Sequence, residues 1–363
     1  MLILADMPKP VHGMSNVNKA VLCRLTSKGT QAAVINTVPS YAAALFGSRF
    51  WTILKVFHTI YCWNKLIGTL LFSSVSEVYR PINGGSGQVF DLIYIGICRV
   101  FKKNIYIHHH SFNYLNSKSK IFSLLNFLAG PKAVHIVLGE RMGHILSELY
   151  SVQLSQVRIL SNIAFFEDAK KESTSLLASS HCLVIGHLAN LCEEKGVDDF
   201  IALCRELKTR NIEFIGKIAG PFSNKTSEIL VNASLDEFDE IEYCGGLYGA
   251  DKDSFFKSLD AFVFPSKYKN EAEPLVLYEA GQYGVLNIGS RRGCMEDVIH
   301  DLEGISIEEG PLMVSSMADT LQLQYNSGNF SAQARSARIN AFATAQLKAK
   351  SVLENLFQDI VGK

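Results

Sequence analysis

The sequence predicts an α/β protein built from two similar parallel-sheet domains. Three observations carry that reading: the length of the chain, the alternation of short apolar runs with helix-length segments, and the return of that alternation in the second half. At 363 residues the chain exceeds one ordinary core and suffices for two domains of roughly 150 residues each. Hydrophobic residues make up 48% of it and charged residues 19%, which suits a chain that folds almost throughout. Lysine plus arginine equals aspartate plus glutamate at 35 each. No global field therefore recruits nucleic acid, and any basic surface is local.

Taken in order, the first half offers strands at Leu2 to Ala5, Ala33 to Ile35, Leu92 to Ile95, Ile105 to His108 and His135 to Leu138, separated by helical stretches. The opening Met1-Leu2-Ile3-Leu4-Ala5-Asp6 is too short for a signal peptide and reads as a buried first strand. Pro81, Gly84, Gly85 and Gly87 mark a loop. From Phe46 to Phe72 the chain is apolar and aromatic, yet Arg49, Lys55, His58, Asn64 and Lys65 break every window long enough to span a bilayer. Two readings stay open there: a core helix with exposed lysines, or a helix lying on an anionic membrane surface.

Residues 166–180 turn polar and small, as a linker does. The second alternation follows, with strands at Cys182 to Ile185, Glu213 to Ala219, Ile241 to Cys244, Ala261 to Phe264 and Leu286 to Ile288, and helices near 197–209, 224–235, 252–259 and 274–283. The alanine-rich tail from Ser331 to Val361 predicts one or two long helices. The expected domains are 1–165 and 181–340, with 341–363 a terminal helix able to cross back to the first. Eight cysteines show neither CxxC nor Cys/His ligand spacing and read as small core residues of a reducing compartment, so the expected location is cytoplasmic. The sequons at Asn224 and Asn232 then carry no sugar.

The sharpest local signal is Asn270-Glu271-Ala272-Glu273-Pro274-Leu275-Val276-Leu277-Tyr278-Glu279-Ala280-Gly281, after the strand and turn ending Phe264-Pro265-Ser266. Proline favours the first helical position, so Pro274 is expected to open a helix whose first amides, at Leu275 and Val276, lack intrahelical partners and suit an anion. Glu279 falls one turn further along the same face, where a carboxylate accepts two hydrogen bonds from a ribose diol. Glu271 precedes the helix, within reach of a sugar attached to the phosphates. By themselves the two glutamates fit solvated carboxylates as well as ligands.

The spacing of a loop glutamate, seven residues and a helical glutamate resembles the Glu-x7-Glu motif of the retaining glycosyltransferases of family four. The resemblance implies the GT-B fold: two Rossmann-like domains facing each other across a cleft, with C-terminal helices. Leu183-Val-Ile-Gly-His-Leu-Ala-Asn190-Leu-Cys-Glu-Glu194-Lys195-Gly196-Val197 is similar to the strand, loop and helix opening that family's C-terminal domain, where a lysine before glycine binds the donor diphosphate. An ammonium there neutralises charge on a departing nucleoside diphosphate, whereas a lysine at a helix start is disfavoured without an anion. Many members carry an arginine five positions earlier. Asn190 stands there in this chain, leaving Lys267, Lys269, Arg291 or Arg292 to supply the charge. By the same template Gly220, in Lys217-Ile-Ala-Gly220-Pro221, and Leu247, after Gly245-Gly246, line the nucleoside pocket. Gly13, in Pro8 to Ser15, faces the donor phosphates.

His108-His109-His110-Ser111 closes a strand, at a carboxyl end of the sheet where α/β folds bind ligands. Alternation lets only His108 and His110 converge, and with neither an HxxxH spacing nor an acidic partner nearby a metal is not expected. The resemblance assigns His110 to the reacting sugar or acceptor, with His109 the alternative. Asp251-Lys252-Asp253 reads as a helix start capped by Asp251 rather than a metal-binding DxD.

The implied activity is transfer of a sugar, of hexose type, from a nucleoside diphosphate sugar to a saccharide acceptor, with retention and without a metal or other cofactor. A lipid-linked acceptor suits a membrane-facing 46–72 segment, as in surface polysaccharide (O-antigen or capsule) assembly on the inner face of the membrane. In this reading Lys195, Glu271 and His110 are catalytic, and Gly13, Asn190, Gly220, Leu247, Leu275, Val276 and Glu279 bind the donor. Two rivals remain: a nucleotide-sugar 2-epimerase of the same fold, and a non-catalytic sugar-nucleotide-binding subunit, which Asn190 in place of arginine keeps open.

Overall fold

The computed structural model describes residues 1–9, 13–27, 29, 31–168 and 182–361. The chain divides into two compact units, residues 1–166 with 348–363, and residues 167–347. Most of the linker expected at 166–180 lies outside the described residues.

The first unit holds strands β1 (Leu2–Ala5), β2 (Ala33–Asn36), β3 (Glu77–Ile82), β4 (Asn104–His109), β5 (Val134–Val137) and β6 (Val157–Ile159). They form a parallel sheet in the order β2-β1-β3-β4-β5-β6. The second unit holds β7 (Leu183–Leu188), β8 (Phe214–Ala219), β9 (Ile241–Tyr243), β10 (Ala261–Phe264), β11 (Leu286–Ser290) and β12 (Ile305–Ile307). Their order, β12-β11-β10-β7-β8-β9, is the dinucleotide-fold order, again all parallel. Strands buried on both faces explain why most of them read as continuous apolar runs. The core of this unit stacks Ile185, Ile218, Val263 and Ile288 of the sheet against Phe200, Leu203 and Leu207 of the helix Val197–Thr209.

One expectation fails in the first unit, and two strands, β3 and β6, are absent from those expected. Leu92 to Ile95 is not a strand but the middle of the helix Gln88–Val100. Its apolar run misleads because the helix buries Gln88, Asp91, Tyr94, Ile95 and Cys98, a helical spacing half hidden by polar residues. The strand it displaces, β3, was concealed by Glu77, Arg80 and Pro81. Arg80 is buried in the sheet because Asp91 of that helix accepts from its Nε at 3.0 Å and the Leu4 carbonyl accepts from its Nη1 at 2.9 Å. A buried guanidinium needs such pairing, and removing one partner of a buried pair costs about 3–5 kcal/mol. The tail is one helix, Ala332–Val361.

Candidate functional site

In the second sheet β7 and β10 lie side by side, and the chain proceeds from them in opposite directions across the sheet. The connections leaving their carboxyl ends are where open α/β sheets hold ligands. After β7 come buried Ala189, exposed Asn190 and buried Leu191. Leu191 is tied to the neighbouring loop: its N–H donates to Pro221 O at 2.8 Å, and its carbonyl accepts from Ser223 N at 3.0 Å. A 3₁₀ turn, Glu193–Lys195, leads to Gly196 at φ +84°, where a Cβ would stand 2.3 Å from the Pro265 carbonyl oxygen. Only glycine lets the helix Val197–Thr209 begin this close to the β10 connection. That connection is pinned in turn, the Lys267 N–H donating to Glu194 O at 2.8 Å.

This local architecture brings together two residues 76 positions apart. Lys195 Nζ stands 2.5 Å from Glu271 Oε2, and the same carboxylate oxygen accepts from Ser266 Oγ at 3.1 Å. The ammonium also lies 4.5 Å from the centroid of the Tyr268 ring, a cation–π contact. Glu271 is 8% exposed and Ser266 fully buried, whereas the Lys195 side chain keeps 24% of its surface. The carboxylate anchors the ammonium while leaving it reachable. An ammonium carries three donors, so one bond to Glu271 leaves capacity for a phosphate.

The next helix, Leu275–Gly281, starts one residue later than expected, with Pro274 as an extended N-cap (φ −69°, ψ 125°). Leu277, Tyr278, Ala280 and Gly281 are buried, whereas Leu275, Val276 and Glu279 are half-exposed. Those three are the positions assigned to the donor. Glu279 is nevertheless engaged: Lys252 Nζ, from the helix Gly249–Lys257, lies 2.6 Å from its Oε2. That helix also corrects the expected cap, since its N-cap is Tyr248 and Asp251 sits in its first turn. An acid there still favours the positive end of the helix dipole. Gly220, at φ +120°, would place a Cβ 1.7 Å from the Ala189 carbonyl oxygen, so its lack of a side chain seats the β8 loop against the β7 loop. Tyr243 donates its hydroxyl to the Gly220 carbonyl at 2.9 Å. Leu247 is half-buried beyond β9.

The cations expected to replace the arginine absent at Asn190 all have partners in this structure, as Lys195 does. Lys267 lies 2.7 Å from both Asp198 and Asp199, Arg291 is 3.1 Å from Glu296, and Arg292 pairs with Glu309. Lys269 has interactions of its own. Sequence reasoning missed Lys252, Ser266 and Tyr268. In the sequence Lys252 stands between two aspartates whose carboxylates dominate the pattern, and Ser266 reads only as the end of a turn.

In the first unit, Gly13 is the exposed first residue of the helix Gly13–Ser27, and residues 10–12 of its loop lie outside the described part. The histidines divide. His108 Nδ1 is 2.6 Å from the Tyr79 hydroxyl, and His109 bridges the Tyr114 hydroxyl at 2.7 Å and His135 Nδ1 at 3.0 Å. Burial holds His108 and His109 well below the ordinary imidazole range, with neighbouring histidines adding to the effect, and pushes His135 down to about 4. His108, His109 and His135 are fully buried, so His109, the alternative to His110, is enclosed in the core. The His110 ring lies 4.0 Å from that of His108, as alternation required, and it is the half-exposed one of the three consecutive histidines. Among the described residues, no three His, Cys, Asp or Glu side chains group as metal ligands.

Residues 168–338 match the family model of the glycosyl transferases group 1. No curated protein sequence matches the chain. Among solved structures, Anabaena Alr3699/HepE in complex with UDP is similar at a TM-score of 0.71 and 14% identity, over 100% of this chain and 99% of that one. The lipopolysaccharide outer core galactosyltransferase WaaB, in its apo form, is similar at 0.69 and 14%, over 99% of each chain. WaaG, a glycosyltransferase involved in lipopolysaccharide biosynthesis, follows at 0.66 and 12%, over 100% of both. The chain therefore has the GT-B fold of these glycosyltransferases.

Proposed function

We propose that the chain is a retaining glycosyltransferase that moves a hexose or similar sugar from a nucleoside diphosphate sugar to a saccharide acceptor without a metal. The observation that carries this reading is the contact of Lys195 with Glu271 at 2.5 Å, beside the β7 and β10 carboxyl ends. It pairs the residue that the resemblance of the Leu183–Val197 segment assigns to the diphosphate with the one that the Glu-x7-Glu resemblance assigns to the transferred sugar.

In this reading the acceptor hydroxyl oxygen bonds the anomeric carbon as the bond from that carbon to the phosphate oxygen breaks. The electron pair leaves with the diphosphate, the hydroxyl proton passes to the diphosphate or to solvent, and Lys195 meets the charge that develops on the leaving group. The amides of Leu275 and Val276 add donors on the same side, a modest contribution from a seven-residue helix. Glu279 takes the ribose diol, with Lys252 giving way or sharing the carboxylate. Glu271 accepts from hydroxyls of the sugar, and Gly220 and Leu247 border the nucleoside. His110 keeps its assignment to the reacting sugar or acceptor, and Gly13 to close backbone approach. A lipid-linked acceptor of surface polysaccharide assembly, met on the cytoplasmic side of the membrane, fits the exposed apolar helix described below.

A panel of nucleotide sugars tests the proposal, beginning with UDP-glucose, which occupies another structure of Alr3699/HepE. Release of nucleoside diphosphate from one member, accelerated by a saccharide acceptor and slowed by Lys195→Ala, is the expected result. Release of an epimerised nucleotide sugar, or binding with no turnover, would replace the proposal with an isomerase or a binding subunit.

A further inference from the structure

We infer that the helix Arg49–Phe72 docks this chain on an anionic lipid surface. The helix is apolar on two sides. One side, with Trp51, Thr59, Cys62, Leu66 and Leu70, is buried in the first unit. On the other, Phe50, Ile53, Phe57, Ile60, Ile67 and Leu71 follow one another at steps of three and four residues, with Asn64 filling the one polar step. Their exposures run from 37% to 71%. Over 24 residues the helix is about 36 Å long. Single exposed apolar residues are ordinary, but a continuous row of this length marks an interaction surface. Phe46, 61% exposed, precedes it, and Phe72, 91% exposed, ends it.

Charge selects the occupant. Between Asp6 and Glu77 the sequence has no acidic residue, while Lys9, Lys19, Arg24, Lys28, Arg49, Lys55 and Lys65 fall in that stretch. The neutral total conceals a division: the first unit carries 19 lysines and arginines against 7 acids, the second 16 against 28. Arg49 and Lys65 are exposed at the row and its margin, whereas Lys55 projects from the packed side. Interfacial aromatics with basic flanks on a basic unit fit phospholipid head groups of negative charge. Among the described residues no helix is long and apolar enough to cross a membrane, so the helix lies on the surface. The use of such docking rests on the lipid-linked acceptor proposed above; the binding itself does not.

Co-sedimentation of the full chain with vesicles tests this, using phosphatidylcholine alone and phosphatidylcholine mixed with phosphatidylglycerol. Partitioning is expected to be about 10-fold or more stronger on the mixed vesicles. It should weaken as salt rises from about 0.1 M to about 1 M, where the screening length falls from ~10 Å to ~3 Å. Arg49→Glu with Lys65→Glu, and separately Phe50→Ser with Phe57→Ser, should each remove at least about 90% of the bound fraction. Thermal melting verifies that the variants fold, and nucleoside diphosphate binding reports on the second unit independently. Wild type ignoring the mixed vesicles, or folded variants binding like wild type, overturns the inference. So does a solution dimer lost with Phe50→Ser and Phe57→Ser, which would give this face to a second copy. Docking without sugar transfer would sink the proposed activity and leave this inference standing.

Discussion

Both units are six-stranded parallel sheets, and both bury polar groups, but the charged pairs singled out in each are placed differently. The first hides its own: Arg80 with Asp91, like His108, His109 and His135, is buried in or under the sheet. The second buries His187 as well, but sets two charged pairs where loops leave the sheet, Lys195 against Glu271 and Lys252 against Glu279, each pair partly exposed. Buried polar groups fix a fold and make it sensitive to pH, whereas half-exposed charges held by rigid loops are available to a ligand. Both sheets have a switch point, between β1 and β3 in the first unit and between β7 and β10 in the second, and the paired charges of the candidate site lie beside the latter.

The largest effect expected from this contrast is at Lys195. If its ammonium stabilises a departing diphosphate, Lys195→Ala lowers kcat by about 100-fold or more with little change in melting temperature. A folded variant with near-wild-type turnover would make the pair structural, like those of the first unit. Glycines sharpen the comparison next. Gly196→Ala forces a Cβ to within 2.3 Å of the Pro265 carbonyl at φ +84°, so chemical denaturation should show a loss of about 1–3 kcal/mol. Gly68→Ala, in a helix of the first unit with nothing within 4 Å of the added Cβ, should be neutral or stabilising by up to about 1 kcal/mol. Equal losses would contradict the packing described here.

Acid should separate the units by a smaller margin. A histidine whose folded pKa is depressed by burial is neutral in the native state, so the unfolded chain binds its proton first. The stability it contributes is complete above the unfolded value of about 6.5 and falls as pH drops toward the folded value. Each such group lowers stability by up to about 1.4 kcal/mol per pH unit in that window. The first unit has three, His108, His109 and His135, the last at about 4; the second has His187, also at about 4. Amide hydrogen exchange followed down from neutral pH should therefore lose protection in β4 and β5 before β7 and β8. The reverse order would contradict the assignment of the buried histidines.

The same contrast explains how much was legible in the sequence. The strands β7, β8, β10 and β11 stand out because both faces of the sheet are apolar, and the positions that pair in the site, Lys195 and Glu271, fall in loops with recognisable spacing. Within the first unit, β3 was lost and Leu92 to Ile95 misread for one reason. Arg80 and Asp91 satisfy each other across elements, a long-range compensation that local patterning does not record. Lys252 escaped on similar grounds, because its role depends on Glu279, 27 positions away in sequence. Pro274 was correctly expected to begin a helix, and its place as N-cap rather than first helical residue is a difference of one position.

The central claim, that the second unit holds a nucleoside diphosphate sugar by these loop charges, is tested most directly by calorimetry on Glu271→Ala and Glu279→Ala. Both are titrated with the free nucleoside diphosphate and with the nucleotide sugar, and turnover is measured alongside. Glu279, on the ribose, should bind ground state and transition state alike, so its loss weakens both ligands and mainly raises KM. Glu271, at the sugar, should leave the free diphosphate's affinity nearly unchanged while depressing kcat. If both variants bind both ligands like wild type with unchanged turnover, the carboxylates are solvated surface groups and the account of this site is wrong.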